Sequence, residues 1–325
     1  TNITKSIMSG IGAGYDLSVT TFSQEGRIFQ VEYASKAVET RGTMLSMRLD
    51  DSILIATEKP TLSKMAISSS RRRVYRISSH IMMGVSGILA DGRAIVEWAR
   101  EETSRFKDNY DRDIPVFVLA ERVGNFMHAY TTHPSVRPFG TTICLCGVTK
   151  DVQSARASRA AKKPDNGRPE LFQITPSGDV NRMHAMAVGK GRQVARVELE
   201  KLLPPHNRDA FTIEMDAQRR QVEAARDTEE EGEEEAAAEK HLDNMTLDIA
   251  AKEAVRILYL ARDASETEMG EIEICGIGVG MIPTFIPAEK IKNLLEEVKK
   301  EEEEESSDDD EETDEAELGE SSETE

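Results

Sequence analysis

The hydrophobic residues of this 325-residue chain change their spacing in blocks, and this change constrains the fold more than any other feature. In some blocks apolar and polar residues alternate, as in strands, and in others the apolar residues recur every three or four positions, as on one helix face. The resulting elements are a helix after the turn-like stretch Ser23–Gly26 with Ile28, Val31, Ala34 and Val38 on its apolar face, strands at Thr43–Leu49, Ile53–Thr57, Val74–Ile77 and His80–Val85, helices at Ile88–Asn109 and Pro115–Tyr130, strands at Thr141–Val148, Leu171–Thr175 and Met183–Val188, helices at Arg192–Leu203 and Leu247–Ala261, a strand at Glu271–Val279 and a short helix at Ile291–Val298.

The strands are gathered in sets and the helices largely in pairs, which differs from the strict alternation of parallel α/β folds. We expect the first four strands to form an antiparallel set. This order predicts an α+β fold in which stacked sheets are covered by helices on both outer faces.

Three segments have a composition unlike that of a packed core. Residues 152–168 are basic, residues 204–241 combine a double proline with a charged run, and residues 301–325 hold sixteen acidic and no basic side chains. Long runs of like charge repel themselves into solvated stretches. We therefore predict a single domain over residues 1–300, with inserts at about 152–168 and 204–241, followed by a disordered acidic tail at 301–325.

The overall charge and the cysteine content exclude several classes of function. The chain has 41 Lys and Arg against 60 Asp and Glu, a net charge of −19, which argues against a protein that binds nucleic acid through phosphate contacts. Its apolar runs are far shorter than the roughly 20 residues that span a bilayer. The three cysteines have neither a disulfide framework nor zinc-ligand spacing. We expect an intracellular protein with no cofactor, no metal, no membrane and no specific nucleic-acid partner.

Few residues are candidates for chemistry. A free N-terminal threonine such as Thr1 can act as a nucleophile with its own amine as the base, although a small residue left after methionine removal is the favoured interpretation. No Ser/His/Asp arrangement is evident among the six histidines. Cys144 and Cys146 are expected to be buried on one strand face. The glycines of Gly276–Gly280 indicate close backbone approach rather than ligand binding.

The sequences GYD at 14–16 and TFSQEGRIFQVEYASKAVE at 21–39 resemble the N-terminal signature of proteasome alpha subunits. The resemblance continues through LSK at 62–64, VSGILADGR at 85–93, HAYT at 128–131 and a motif formed by Arg137, Pro138, Phe139 and Gly140. Within that family, residues 10–18 and the acidic tail most resemble the seventh alpha position of the eukaryotic ring.

This resemblance implies a four-layer αββα sandwich of the N-terminal nucleophile hydrolase type, with the early helix lying across its top. In the catalytic beta relatives the nucleophilic threonine begins the first strand. Here the comparable residue is Thr43, whose nitrogen lies in a peptide bond. The resemblance therefore implies a noncatalytic subunit of the 20S core that builds a heteroheptameric alpha ring, contacts beta subunits and serves ubiquitin-dependent degradation in cytoplasm and nucleus.

The resemblance also implies two sites. Tyr15, Asp16 and Tyr33 match a cluster that fixes the gate formed by the alpha N-termini, while Gln24 occupies the position of the cluster's turn proline and lacks its fixed φ. A lysine between adjacent subunits usually receives the terminal carboxylate of an activator particle. Arg73 matches this lysine, with Lys64 as a second candidate, although residues 71–73 could instead simply border a strand.

The acidic tail supports a modification and one alternative function. Ser306 and Ser307 precede a run of acidic residues and fit an acid-directed kinase, so the chain is expected to be a phosphoprotein. Two alternatives to a ring subunit remain, namely a binding module whose acidic tail holds basic partners, and a hydrolase that uses Thr1. The long stretch of chain before the first strand disfavours the hydrolase.

Overall fold

A computed structural model describes residues 14–59, 65, 67–149, 168–203, 242, 245–262, 270–278 and 282–301. Its elements are α1 (Phe29–Glu39), β1 (Met44–Arg48), β2 (Ser52–Lys59), a 3-10 helix (Ser68–Arg71), β3 (Val74–Arg76), β4 (Ile81–Gly87), α2 (Leu89–Tyr110), α3 (Val116–Thr132), β5 (Thr141–Thr149), β6 (Arg168–Ile174), β7 (Val180–Arg182), β8 (Ala185–Val188), α4 (Arg192–Leu202), α5 (Leu247–Leu260), β9 (Glu271–Gly278), β10 (Thr284–Phe285) and α6 (288–301).

The strands form two antiparallel sheets. The first sheet has the order β10-β9-β2-β1-β8, and the second has the order β3-β4-β5-β6-β7. The first four strands of the chain are therefore divided between the sheets, because β1 pairs with β2 while β3 pairs with β4. The expectation of one antiparallel set was wrong in this respect.

The two sheets bury both of their faces. On β2, Ile53 and Ile55 point to the space between the sheets, whereas Leu54 and Ala56 point to the helices. This alternation follows from the period of two along a strand. It produces strands that are apolar on both sides, so helices must cover the two outer faces.

Three separate cores result from this alternation. One lies between the first sheet and α4, α5 and α6, and a second lies between the other sheet and α2 and α3. The third fills the space between the sheets and includes Met44, Ile55, Met82, Cys144, Cys146, Leu171 and Cys275. The predicted four-layer αββα sandwich is confirmed.

Helix α1 lies at one end of the sandwich. It contacts β4 and β5, and its Val38 joins the core between the sheets. The helix buries Phe29, Ala34 and Val38. The sequence analysis placed Ile28 and Val31 on the buried face instead of Phe29. The larger aromatic ring turns inward, and both aliphatic residues are only partly buried.

The predicted strand Met183–Val188 is confirmed for Ala185–Val188, but it starts two residues later than predicted because the chain changes sheets at Met183 and His184. The Met183 N–H donates to the Leu171 carbonyl in the second sheet, while the next carbonyl, that of His184, accepts from the Arg48 N–H in the first sheet. The regular strand begins at Ala185. The sequence analysis missed the short strand β7, which pairs with β6 directly before the chain crosses to the first sheet.

One residue of the predicted insert and one of the predicted tail lie in regular elements. Arg168 lies in β6, paired with Thr149, and Glu301 is helical, with its carboxylate 2.5 Å from Lys252 Nζ. Residues 152–167, 204–241 and 302–325 lie outside the described residues. Among the described helices, none is long and apolar enough to cross a membrane.

We expect Leu145→Ala to lower the free energy of unfolding by about 2–5 kcal/mol, because Leu145 is fully buried between the second sheet and its helices. Val197→Ala is the matched control, since Val197 is 54 % exposed on α4, and its effect should stay within about 0.5 kcal/mol. Thermal unfolding of the purified chain measures both. Equal effects of the two variants would contradict the layer order.

Candidate functional site

The motif at 137–140 forms hydrogen bonds with the first turn of α2. Arg137 Nη1 and Nη2 donate to the two carboxylate oxygens of Asp91 at 2.6 and 2.8 Å. The Gly140 N–H donates to the same carboxylate at 3.0 Å, and the Gly140 carbonyl accepts from the Ile88 N–H at 2.9 Å. The segment that leads into β5 is therefore fixed to the first turn of α2.

The Asp91 carboxylate is held in its charged form. Burial alone would raise the pKa of Asp91, but the hydrogen bonds from Arg137 and the Gly140 N–H, with the charge of Arg137, outweigh burial, so its pKa lies below the ordinary value. The position of Asp91 in the first turn of α2 also favours a negative charge. The sequence analysis missed Asp91, although it lies within the matched stretch 85–93.

The rest of the motif packs into an aromatic cluster. The Phe139 ring centroid lies 4.3 Å from that of Tyr130 and 5.5 Å from that of Phe126, which in turn stacks on Trp98 at 4.4 Å. A Cβ at Gly140 would meet Ile88 Cδ1 at 2.6 Å, so a larger residue here would require the Ile88 side chain to shift. The motif is thus a structural junction between α2, α3 and β5.

Thr43 lies at the start of β1, where the catalytic relatives carry their nucleophile. Its nitrogen is bonded to Gly42, its side chain is buried, and its Oγ1 accepts a hydrogen bond from the Gly191 N–H at 3.0 Å. The turn at Gly189, with φ of 106°, brings the Lys190 N–H to the Arg41 carbonyl at 2.8 Å. Thr43 therefore has neither a free amine nor an open pocket.

The proposed gate residues surround the start of α1. Gln24 lies in a turn closed by a hydrogen bond from the Gly26 N–H to the Ser23 carbonyl. The Asp16 carbonyl accepts from Gln30 Nε2, which fixes the preceding segment to α1. Within residues 14–59, no hydrogen bond joins the Asp16 carboxylate to the phenol of Tyr15 or Tyr33. The phenol–carboxylate cluster stays a prediction.

Tyr33 is 46 % exposed, with its ring 6.2 Å from that of Phe29. Leu17 and Phe22 are also large apolar side chains that face solvent, at 87 % and 62 % exposure. All three of these exposed apolar side chains lie within residues 17–33.

The side chain and the backbone N–H of Arg73 both form hydrogen bonds within this chain. Its Nη1 donates to the Gly87 carbonyl at 2.9 Å, and its backbone N–H donates to Glu273 Oε2 at 2.9 Å. Burial lowers the pKa of Arg73 below its ordinary value, the charges of Arg41 and Arg71 lower it further, and Tyr75 and Glu273 only partly oppose them. The Arg73 guanidinium is therefore buried, hydrogen-bonded to its own chain and near the like charges of Arg41 and Arg71.

Other candidate residues carry no described site. Thr1, Lys64, Ser306 and Ser307 lie outside the described residues. Cys144, Cys146 and Cys275 are buried between the sheets, as predicted for the first two, and burial followed by the nearby charge of Glu273 raises the pKa of Cys275 to about 12. In the described ranges, no three His, Cys, Asp or Glu residues converge as metal ligands would.

Comparison with known families decides between these interpretations. The family described as "Proteasome subunit" matches residues 38–155 and 161–219, and the family of the N-terminal signature of A-type proteasome subunits matches residues 15–37. This chain belongs to the proteasome alpha-type subunit family.

Similar proteins agree with this assignment. The alpha type-3 proteasome subunit of Acanthamoeba castellanii is 35 % identical over 291 residues, which cover 89 % of this chain and 92 % of the relative. The probable alpha type-7 proteasome subunit of Schizosaccharomyces pombe is 33 % identical over 287 residues, covering 88 % and 92 %. The alpha type-3 proteasome subunit of Arabidopsis thaliana is 42 % identical over 195 residues, covering 60 % and 72 %. Their names divide between two types.

Alpha-type subunits are the noncatalytic ring members of a threonine protease complex. This proteasome alpha-type subunit is accordingly a structural member of the α ring of the 20S core, assembled with other alpha and beta subunits. The sandwich is of the N-terminal nucleophile hydrolase class. In this chain the nitrogen of Thr43 lies in a peptide bond, so it cannot serve as the base that an N-terminal threonine nucleophile uses.

We expect Asp91→Asn to lower the free energy of unfolding by about 1–3 kcal/mol at neutral pH, because an amide replaces the charged acceptor of Arg137 and Gly140. Chemical denaturation of the chain measures the effect. Arg137→Lys keeps the charge, loses the paired hydrogen bonds and should give a smaller loss.

The pH dependence of this loss tests its cause. Asp91 has a lowered pKa in the folded state, so its stabilisation is complete above the ordinary value of 3.8 and disappears as pH falls through the lower folded value. The difference between wild type and Asp91→Asn should shrink in that acidic range. A stability difference that does not depend on pH would contradict stabilisation by the charged Asp91 carboxylate.

Proposed function

We propose that this subunit controls substrate access to the 20S core and docks activator particles in ubiquitin-dependent protein degradation. The gating role is supported chiefly by the contact of Gln30 with the Asp16 carbonyl, which fixes the end of the signature segment on α1. The backbone of Asp16 is thereby held next to α1. We propose that residues 1–13 switch between two arrangements from this anchored point.

The ring itself accounts for the exposed apolar residues of the signature segment. Leu17, Phe22 and Tyr33 face solvent in the single chain and would be covered by a neighbouring alpha subunit. We propose that the gate cluster of Tyr15, Asp16, Gln24 and Tyr33 is completed only in that assembled ring.

Activator docking is supported by the charge around Arg73. Burial lowers the pKa of the Arg73 guanidinium, and the charges of Arg41 and Arg71 lower it further, so an incoming carboxylate would offset like charge that is unfavourable in the free subunit. Arginine can bind a carboxylate through two parallel hydrogen bonds. Lys64 is a second candidate for the same carboxylate.

Three further proposals come from the sequence. We propose the seventh alpha position for this chain, on the likeness of residues 10–18 and of the acidic tail, while the names type-3 and type-7 leave the position undecided. We propose action in cytoplasm and nucleus, with no membrane or specific nucleic-acid partner. Ser306 and Ser307, in the acidic tail at 301–325, are proposed phosphorylation sites.

Removing residues 1–13 from this subunit should raise the basal hydrolysis of small peptides by core particles purified from cells. An increase of up to about tenfold is expected if the open population rises from about 1 % to about 10 %. Subunit composition, measured on the same particles, is the control for assembly. Unchanged basal and activator-stimulated rates in complete particles would contradict a gating role.

Arg73→Ala should weaken the activation of purified core particles by an activator. Loss of a charge-assisted contact corresponds to about a tenfold change in affinity at this pocket. Arg73→Lys is the matched control, because it keeps the charge and should retain most of the activation. The concentration of activator that gives half-maximal peptide hydrolysis measures the effect. An unchanged value for Arg73→Ala in complete particles would exclude this pocket.

A further inference from the structure

The turn before α1 is organised by one residue, through two backbone hydrogen bonds and one side-chain hydrogen bond. Ser23 makes three hydrogen bonds with the residues that follow it. Its carbonyl accepts from the Gly26 N–H at 2.9 Å, its N–H donates to the Arg27 carbonyl at 2.9 Å, and its Oγ accepts from the Arg27 N–H at 3.0 Å. The backbone of Arg27 is thereby bound at both of its polar groups.

The geometry of the turn requires glycine but not proline. Gly26 has φ of 76°, a conformation that a side chain would strain. Gln24 stands at the position where a proline would pre-set φ. Since Ser23 already closes the turn through backbone and side chain, the missing proline leaves no backbone group of Ser23 or Arg27 in this turn without a partner.

The turn is joined to α1 by Arg27. Its guanidinium forms a fork with Glu32, with Nε 2.6 Å from Oε1, and it lies 5.2 Å from the centre of the Phe29 ring. Both members of the ion pair are substantially exposed, so solvent and salt screen it. The hydrogen bonds of Ser23 are therefore the contacts that determine the shape of the turn.

We propose that Ser23 is the positioning residue of the gate in this subunit. Its hydrogen bonds constrain the turn conformation, which a proline at position 24 would otherwise constrain. This inference rests on the proposed gating function. Ser23 acts through the turn, because the turn connects residues 14–22 to α1 and its conformation sets their direction relative to the helix. A turn that opens in the absence of Ser23 Oγ would let the signature segment occupy several arrangements, and fewer particles would hold the gate open when an activator binds.

The test uses core particles purified from cells that carry Ser23→Ala, Ser23→Thr, Gln24→Pro or the double variant Ser23→Ala/Gln24→Pro. We expect Ser23→Ala to lower activator-stimulated peptide hydrolysis by up to about tenfold, the population change that corresponds to one lost hydrogen bond. Ser23→Thr keeps the hydroxyl and should retain the rate. The proline of the double variant should restore it, because it supplies the missing φ constraint.

Hydrogen exchange of the peptide over residues 23–28 in the same particles gives a readout that is independent of hydrolysis. Ser23→Ala should accelerate exchange of the Arg27 amide by about tenfold, and the double variant should slow it again. Thr132→Ala, which removes a comparable hydroxyl at the exposed end of α3, is the control and should leave both readouts unchanged.

Core particles that carry Asp16→Ala distinguish a failure of the gating function from a failure of the proposed role of Ser23. If Asp16→Ala alters stimulated hydrolysis while Ser23→Ala does not, gating stands and the role of Ser23 is overturned. If neither these variants nor removal of residues 1–13 alters hydrolysis, the gating function itself fails. A loss with Ser23→Ala that the proline does not restore would also overturn the positioning role, because it would show that the turn shape is not the cause.

Discussion

The central strands of this protein bury both of their faces, and the order of its layers depends on that constraint. On β2 the alternate residues Ile55 and Leu54 enter different cores, one between the sheets and one beneath the helices. A sheet that is apolar on both sides cannot face water, so each sheet needs a second sheet on one side and helices on the other. The pairs α2 with α3 and α4 with α5 supply the helical cover, and α1 closes one end of the space between the sheets.

The contacts around Thr43 show how a fold of the N-terminal nucleophile hydrolase class is used in a structural subunit. Thr43 immediately precedes β1, but its peptide bond to Gly42 removes the free amine that would act as its base, and its hydroxyl accepts a hydrogen bond from the Gly191 N–H. The turn at Gly189 closes the remaining space. The segment that precedes the sandwich exposes Leu17 and Phe22, and the proposed gating role is assigned to this segment.

Local patterns were sufficient for most elements and insufficient for contacts between them. The long helices were predicted because their apolar spacing repeats over many residues, as in α3. The crossing between sheets at Met183 was missed, since a break in pairing leaves no mark on a run of apolar residues. The burial of Phe29 in preference to Val31 depends on the neighbouring strands. Asp91 was missed because its partner, Arg137, lies far away in sequence, and only the fold brings the two together.

The central claim is that this chain is a ring subunit, and structure determination of particles purified through a tag on the chain tests it most directly. The account predicts that the chain occupies one position in each seven-membered alpha ring, between two other alpha subunits, in a particle that hydrolyses peptides. The neighbours identified in that ring decide whether the position is the seventh. Recovery of the chain only as a free monomer, or of active core particles that lack it, would contradict the account.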